Sequence, residues 1–241
     1  MPNSLSTKLP RFLAFLAGLL ILKVTVSVIL GYRDYFPPNF ESDFLRGRES
    51  YFSGNYQWAF YSHIVSGPVS LILGLILISE QFRIRFPSWH RCLGKAQIVL
   101  VLVLLAPSGL WMAYYAETGV VAAIGFSGLA LATGLCALFG WQSAVQKRFV
   151  DHRRWMLRCY LLLCSAVILR LIGGLATVTA VEGTWSYPLA AWASWLLPLA
   201  AFELSGAFNR QFRRPGILHE DQSAPSATAL SLPAMDINAR R

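Results

Sequence analysis

Long apolar runs alternate with short polar segments along this chain of 241 residues. Each run is continuously apolar and about 20 residues long, the length that an α-helix needs to cross a bilayer. The strands of a membrane barrel would instead alternate apolar and polar residues over about ten positions. The pattern predicts an all-α membrane protein, a bundle of about six transmembrane helices. The predicted spans are about 11–31, 59–82, 93–115, 120–142, 155–181 and 185–208.

The two ends of the chain differ in character. The apolar stretch from Phe12 to Leu30 is too long for the core of a cleaved signal peptide, so we interpret it as a retained first helix. Residues 209–241 are rich in Ser, Ala, Pro and charged residues and lack helical periodicity. We expect this segment to be a disordered cytoplasmic tail.

Charge adds an orientation to this picture. Only 14% of the residues are charged and 55% are hydrophobic, and the net charge of +9 sits mostly in short loops. The loops after the second and fourth predicted spans contain Arg83, Arg85, Arg91 and Lys95, and Lys147, Arg148, Arg153, Arg154 and Arg158. The turns after the third and fifth spans contain no Lys or Arg, and their charged residues are Glu117 and Glu182. The positive-inside rule therefore predicts cytoplasmic N- and C-termini in a multi-pass protein of the cell inner membrane or plasma membrane. The lipid bilayer is the expected partner, and no basic domain remains for nucleic acid.

Two helix starts share a His-Arg pair at the predicted cytoplasmic face. His90-Arg91 is followed by Gly94, and His152-Arg153 by Trp155, Met156 and Arg158. Together with His63, Gly67 and Gly74, these residues resemble an uncharacterised family of bacterial multispanning membrane proteins, a predicted-membrane-protein domain of unknown function. The resemblance extends from about Trp58 to Arg170 and implies the membrane fold without implying an activity.

Paired histidines suggest a cofactor. Imidazole is the usual axial ligand of haem and the commonest metal ligand, so His90 and His152 could hold a haem b or a metal ion. Cys92 and Cys159 could complete a four-ligand metal site. Alternatively, a histidine beside an arginine at this interface contacts lipid head groups or caps a neighbouring helix. The other cysteines, Cys136 and Cys164, fit the role of small buried hydrophobic residues.

Three further residues suggest a polar pocket inside the membrane. His63 shares a helix face with Ser66 and Ser70, which is either a packing face or the wall of a pocket. Lys23 and Arg170 fall near the middle of their spans, where a charge usually faces the bundle interior. Arg170 could therefore contact a small anionic or quinone-like ligand, although water or backbone carbonyls are adequate partners.

An aromatic segment precedes the second span and could cover such a pocket. Its aromatic residues are Tyr35, Phe36, Phe40, Phe44, Tyr51, Phe52 and Tyr56. We expect the segment to lie on the membrane surface as a lid beside His63.

Two functional hypotheses follow. In the first, the protein binds one haem or quinone through His63, His90 and His152, with Arg170 as a partner for anionic groups. In the second, it is a non-enzymatic transporter or membrane accessory protein whose polar pocket is lined by His63 and Arg170. No catalytic motif for nucleotide, metalloprotease or hydrolase chemistry is present, and the sequence identifies no catalytic residues.

Overall fold

The computed structural model describes residues 4–42, 44–116, 119–180 and 183–212, and no β-strand forms among them. The α-helices are α1 (Ser4–Gly31), α2 (Glu49–Phe52), α3 (Asn55–Ile78), α4 (Glu80–Arg85), α5 (Pro87–Val99), α6 (Ala106–Tyr114), α7 (Val120–Val145), α8 (Phe149–Leu163), α9 (Ser165–Thr179) and α10 (Ser186–Phe212). Residues 1–201 form one compact unit, and residues 202–241 form a second, of which the end of α10 is described.

Six helical segments are long and apolar enough to cross a membrane, which confirms the predicted all-α bundle. They are Phe12–Asp34, Asn55–Ile78, Pro87–Tyr114, Val120–Val145, Phe149–Thr179 and Ser186–Gly206. The predicted cytoplasmic location of the two termini stays a prediction. Helix α10 continues past the predicted end at residue 208, and the predicted tail beyond residue 212 lies outside the described residues.

The third and fifth spans begin about one and a half turns earlier than their apolar runs predict. They start at Pro87 and Phe149 instead of residues 93 and 155. Proline suits the first helical position because its N–H would have no partner there and its φ is already helical. His90 and His152 therefore lie within the first turns of α5 and α8 instead of opening them.

A π-helical stretch, Leu100–Leu105, joins α5 to α6 within the third span. Pro107 follows it, and proline lacks the N–H that would bond to the carbonyl of Val103 and also clashes with that carbonyl. Wider π-helical turns are one way in which a helix accommodates such an interruption. The adjustment occurs directly before Ser108, which faces the interior and is buried.

The two ends of the compact unit carry different side chains. We call the end that holds Arg83, Arg85, Lys147 and Arg148 the basic end. We call the opposite end, where the cap segment 32–56 packs on α3, the aromatic end. One buried cluster, which includes Val101, Ala137, Cys159 and Leu162, fills the middle of the bundle. A second one, which includes Leu45, Phe52 and Phe60, lies at the aromatic end.

Candidate functional site

The cap segment folds onto the first turns of α3 as a layer of aromatic rings. Phe52 packs edge-on against Phe60, with ring centroids 5.5 Å apart, and Phe44 stacks on Phe60 at 5.4 Å. The hydroxyl of Tyr61 donates to the carbonyl of Tyr35 at 2.8 Å. Offset and edge-to-face aromatic pairs add about 0.5–1.5 kcal/mol each beyond area burial. The cap is therefore a packed part of the fold.

Arg48 fastens this cap to the bundle. Its side chain is buried, its Nε donates to the carbonyl of Phe44 at 2.6 Å, and one terminal nitrogen donates to the carbonyl of Tyr115 at 3.1 Å. The same nitrogen lies 3.3 Å from the hydroxyl of Tyr56, and the guanidinium stands over the ring of Phe44 at 4.6 Å. Since Tyr115 ends the third span, Arg48 connects the cap with two transmembrane helices.

Beneath the cap lies a cavity of about 560 Å³, within the range of about 300–1,000 Å³ that is typical of small-molecule sites. Its wall draws residues from α1, α3, α6, α7, α9 and α10 and from the cap. Most of the wall is apolar or aromatic. Arg48, His63 and Arg170 are the charged or titratable exceptions besides five tyrosines, and no Asp or Glu belongs to the described wall.

His63 occupies the wall two turns into α3. Its Nδ1 lies 3.3 Å from the Oγ of Ser108, which itself donates to the carbonyl of Leu105 at 3.1 Å. Because the serine proton is used for that carbonyl, Ser108 accepts a hydrogen bond from Nδ1–H, and Nε2 of the neutral imidazole keeps its lone pair. The ring packs against Gly109, where an added Cβ would lie 3.2 Å from it. His63 is thus held in one orientation with one acceptor nitrogen remaining.

Arg170 faces the same cavity from α9. One of its terminal nitrogens donates to the carbonyl of Ala166, one turn earlier, at 2.9 Å. Tyr32 and His63 lie near enough to interact with its charge. Within the part of the chain that the structure describes, no carboxylate forms an ion pair with Arg170. A guanidinium has five N–H donors, so most of its donors are available to a ligand.

The cavity wall is exposed on one side. The four wall residues that are exposed are Ser27 and Gly31 of α1, Arg170 of α9 and Tyr187 of α10. All other wall residues are buried or half-buried. The exposed part of the wall therefore lies along α1, α9 and α10.

The other two candidate histidines, His90 and His152, lie at the basic end, away from this cavity. His90 and His152 are close enough for their charges to interact, and neither belongs to the described cavity wall. The Nδ1 of His152 donates to the carbonyl of Gly140 at 2.8 Å. Whether this pair binds haem or metal stays a prediction.

The His-Arg-x-Trp-Met motif holds α8 against α7. The side chain of Met156 rests on Gly140, where an added Cβ would overlap its sulfur. The ring of Trp155 contacts that of Phe139, with centroids 5.1 Å apart. The guanidinium of Arg158 lies over the Trp155 ring, 4.6 Å from its centroid. With the bond from His152 to Gly140, this accounts for most of the motif by helix packing.

The suggested four-ligand metal site does not form among the described residues. No group of three or more His, Cys, Asp or Glu side chains comes together there. Cys92 is exposed, whereas Cys159 is buried with its thiol 3.8 Å from the carbonyl of Thr133. The sequence proposal that these cysteines join His90 and His152 was therefore wrong. Lys23 is exposed and absent from the described cavity wall, so it does not join Arg170 either.

Sequence reasoning found two of the polar wall residues and missed others. His63 and Arg170 were predicted together as a pocket, and both line the cavity. Arg48, which lines the wall, and Ser108, which holds the ring of His63, were missed, since a loop arginine and a single helical serine are common in any membrane protein. The usable signal for Arg48 was its position within the dense run of aromatic residues in the cap.

A model of a family described as predicted membrane protein (DUF2306) matches residues 60–205. No curated protein and no solved structure matches the chain. The matched part includes His63, His90, His152 and Arg170, and it confirms the resemblance predicted from the motifs. Helix α1 and the whole cap segment lie outside it, although both contribute to the cavity wall. The chain therefore belongs to this family of predicted membrane proteins, whose function is unknown.

Proposed function

We propose that this protein binds an amphipathic ligand from the membrane, with an anionic or carbonyl-oxygen head group that accepts hydrogen bonds from Arg170 in the pocket that His63 also lines. In this role it is a transporter or an accessory protein and not an enzyme. The carrying observation is a wall that contains the guanidinium of Arg170 and the imidazole of His63, and to which no described Asp or Glu belongs. A cation in hydrocarbon is costly unless a partner compensates it. An oxygen-rich head group supplies that partner at Arg170, where the described residues offer only a backbone carbonyl.

The position of the opening supports a ligand that arrives from the bilayer. Arg170 lies nine positions before Thr179, about 13 Å from the aromatic end of α9 at 1.5 Å per residue. This depth is below the head-group layer of a leaflet, since half of a hydrocarbon core measures about 15 Å. An acyl or isoprenoid chain would remain among lipid tails while the head group enters the cavity.

A quinone fits the same donor, because its carbonyl oxygens accept hydrogen bonds from a guanidinium. A haem b held by two histidines fits the cavity less well. His63 is the histidine of the described wall, and His90 and His152 lie at the other end of the bundle. We further propose, from the charge distribution of the loops, that the basic end faces the cytoplasm of the inner or plasma membrane.

The test is the ligand that the protein retains. Wild type, Arg170→Gln and Arg33→Gln would be purified in mild detergent, and their extracts compared by mass spectrometry after spectra of the oxidised and dithionite-reduced samples. Arg33 is a matched control at the aromatic end, with a side chain that is 85% exposed. We expect a stoichiometric amphiphile in wild type and Arg33→Gln that is lost in Arg170→Gln. Equal extracts from all three proteins would contradict the proposal, and a Soret band that disappears in His63→Ala would favour haem.

A further inference from the structure

A line of buried polar side chains connects the cavity with the basic end. On α3, His63, Ser66 and Ser70 follow at i, i+3 and i+7 and share one face. Ser66 is 1% exposed and Ser70 is fully buried. On α5, His90 and Gln97 are also seven positions apart on one face, and Gln97 is 2% exposed.

The two faces meet in the middle of the bundle. The side-chain nitrogen of Gln97 donates to the carbonyl of Ser70 at 3.1 Å. Seven positions correspond to about 10 Å along a helix, so His63 to Ser70 and Gln97 to His90 together span about 20 Å. That is about two thirds of a hydrocarbon core. The line thus reaches from the cavity to the histidine pair at the basic end.

Tyr160 of α8 completes the line from a third helix. Its ring packs directly on Gly74, one turn after Ser70 on α3, where an added Cβ would overlap it. The hydroxyl of Tyr160 is near the thiol of Cys164, which is a weak partner. This places the ring of Tyr160 one helical turn from Ser70.

Most of these groups lack protein partners. Among the described residues, the buried side-chain atoms without a hydrogen-bond partner are Ser70 Oγ, His90 Nδ1, Gln97 Oε1, Tyr160 Oη and Trp195 Nε1. The first four lie on this line or beside it. Each unsatisfied buried polar group costs about 1–3 kcal/mol, and native proteins satisfy such groups with ordered water that makes 2–4 hydrogen bonds. The occurrence of four such atoms along one line is the observation that favours a file of water.

We propose that internal water molecules connect these side chains and carry protons between the cavity and the His90–His152 pair. A proton enters at an imidazole lone pair, and each water or hydroxyl accepts one proton as it releases another. The proton arrives at Nε2 of His63, the acceptor that its bond to Ser108 leaves free. His90 lies within electrostatic range of His152 and Arg83 at one end of the path, and His63 within that of Arg170 at the other. The path does not depend on the proposed ligand, since it ends at the cavity wall.

The first test detects the water. X-ray hydroxyl-radical labelling with mass spectrometry marks side chains that touch ordered water, and Tyr160 is a reactive reporter that is 9% exposed. We expect full-length wild type in nanodiscs to be labelled at Tyr160, and Gln97→Leu to lose most of this labelling. Ser143→Ala removes a hydroxyl of α7 that is 2% exposed and is not among the unpartnered atoms, and it should leave the labelling unchanged. An unlabelled Tyr160 in wild type would overturn the proposal, as would equal labelling in Gln97→Leu.

The second test measures protons. Proteoliposomes with an internal pH dye, a potassium gradient and valinomycin would report proton flux driven by the membrane potential. We expect flux above empty vesicles in wild type and Ser143→Ala, and its loss in Gln97→Leu. Ser70→Ala serves as a second variant if Gln97→Leu does not fold, and a melting temperature for each protein separates loss of the path from loss of the fold. Wild-type flux no greater than that of empty vesicles would overturn proton conduction.

Discussion

The two halves of this bundle use polar residues in opposite ways. At the basic end, the residues of the most recognisable motif pack helices together, as when His152 bonds to Gly140 and Met156 rests on the same glycine. At the aromatic end, by contrast, His63 and Arg170 line a cavity. The residues of the most recognisable motif are therefore not the residues that line the cavity. A packing motif is recognisable because it needs fixed neighbours along two helices. A cavity wall is assembled from single residues on many helices.

The largest loss of stability is expected on substitution of Arg48. This residue lies at the aromatic end, but unlike His63 and Arg170 it holds the fold together there. Arg48→Met removes the donor to Tyr115 and leaves carbonyls and hydroxyls of the cap without it. Hydrogen bonds to charged groups contribute about 1.5–3 kcal/mol each, so we expect a loss of about 3 kcal/mol. Thermal or denaturant unfolding in detergent would measure it, together with the rate of proteolysis in the cap.

Arg33→Met is the matched control for this variant, because Arg33 lies in the same segment with an exposed side chain. It should leave both the unfolding midpoint and proteolysis unchanged. If both variants behaved like wild type, Arg48 would not hold the cap in place, and the distinction between a fold arginine and a cavity arginine would fail.

Two glycines on α3 compare the halves on one helix. Gly74→Ala places a methyl group where it overlaps ring carbons of Tyr160, so we expect the free energy of unfolding to fall by about 1–3 kcal/mol from overpacking. Gly67→Ala, on the cavity side, meets only Leu105 at 3.9 Å, and the crowding of its Cβ by Pro68 offsets its gain in helix propensity, so we expect a change within about 1 kcal/mol. The difference between their melting temperatures in the same detergent is the measurement. Equal losses would mean that both halves are packed alike.

The fold could be predicted from the sequence because lipid imposes simple rules. Six runs of sufficient length had to be helical, since only helices and closed barrels satisfy every backbone group in hydrocarbon. The starts of the third and fifth spans were missed because their first turns are polar and fall outside the apolar run. Pro87 marks one of them, as proline favours the first helical position.

The site was predictable only in part. His63 and Arg170 stood out because a titratable or charged group inside an apolar run is costly. Arg48 did not stand out, since its burial results from aromatic packing between the cap and α3, which no local pattern encodes. Cys92 and Cys159 were grouped with the histidines by sequence proximity, but α5 and α8 direct them to different surroundings.

His152 tests whether the basic end is built for packing or for a cofactor. His152→Ala removes one hydrogen bond to Gly140 and should cost about 1 kcal/mol, the typical net contribution of such a bond. His152→Asn keeps an N–H donor near the position of Nδ1 and should recover most of that loss. Unfolding in detergent measures this series, and absorption spectra of the same samples report haem. If the asparagine variant recovered stability but lost a Soret band that wild type shows, the imidazole would be a ligand as well as a packing group.

The smallest change in stability is expected at Arg170, although it is the residue most closely tied to the proposed ligand. Breaking a buried ion pair costs about 3–5 kcal/mol because it leaves a charge without compensation. Arg170, by contrast, is exposed at the opening and bonds to the carbonyl of Ala166 on its own helix. Removing it therefore leaves no charge of the described residues unpaired. We expect Arg170→Gln to change the free energy of unfolding of delipidated protein by less than about 0.5 kcal/mol, as for most substitutions away from packed features.

A loss as large as that of Arg48→Met would place Arg170 among the residues that hold the helices together, and the cavity would then have no cation reserved for a ligand. A small loss, combined with a melting temperature that added ligand raises in wild type and not in Arg170→Gln, would separate binding from folding at the aromatic end, since a ligand stabilises only the state that binds it.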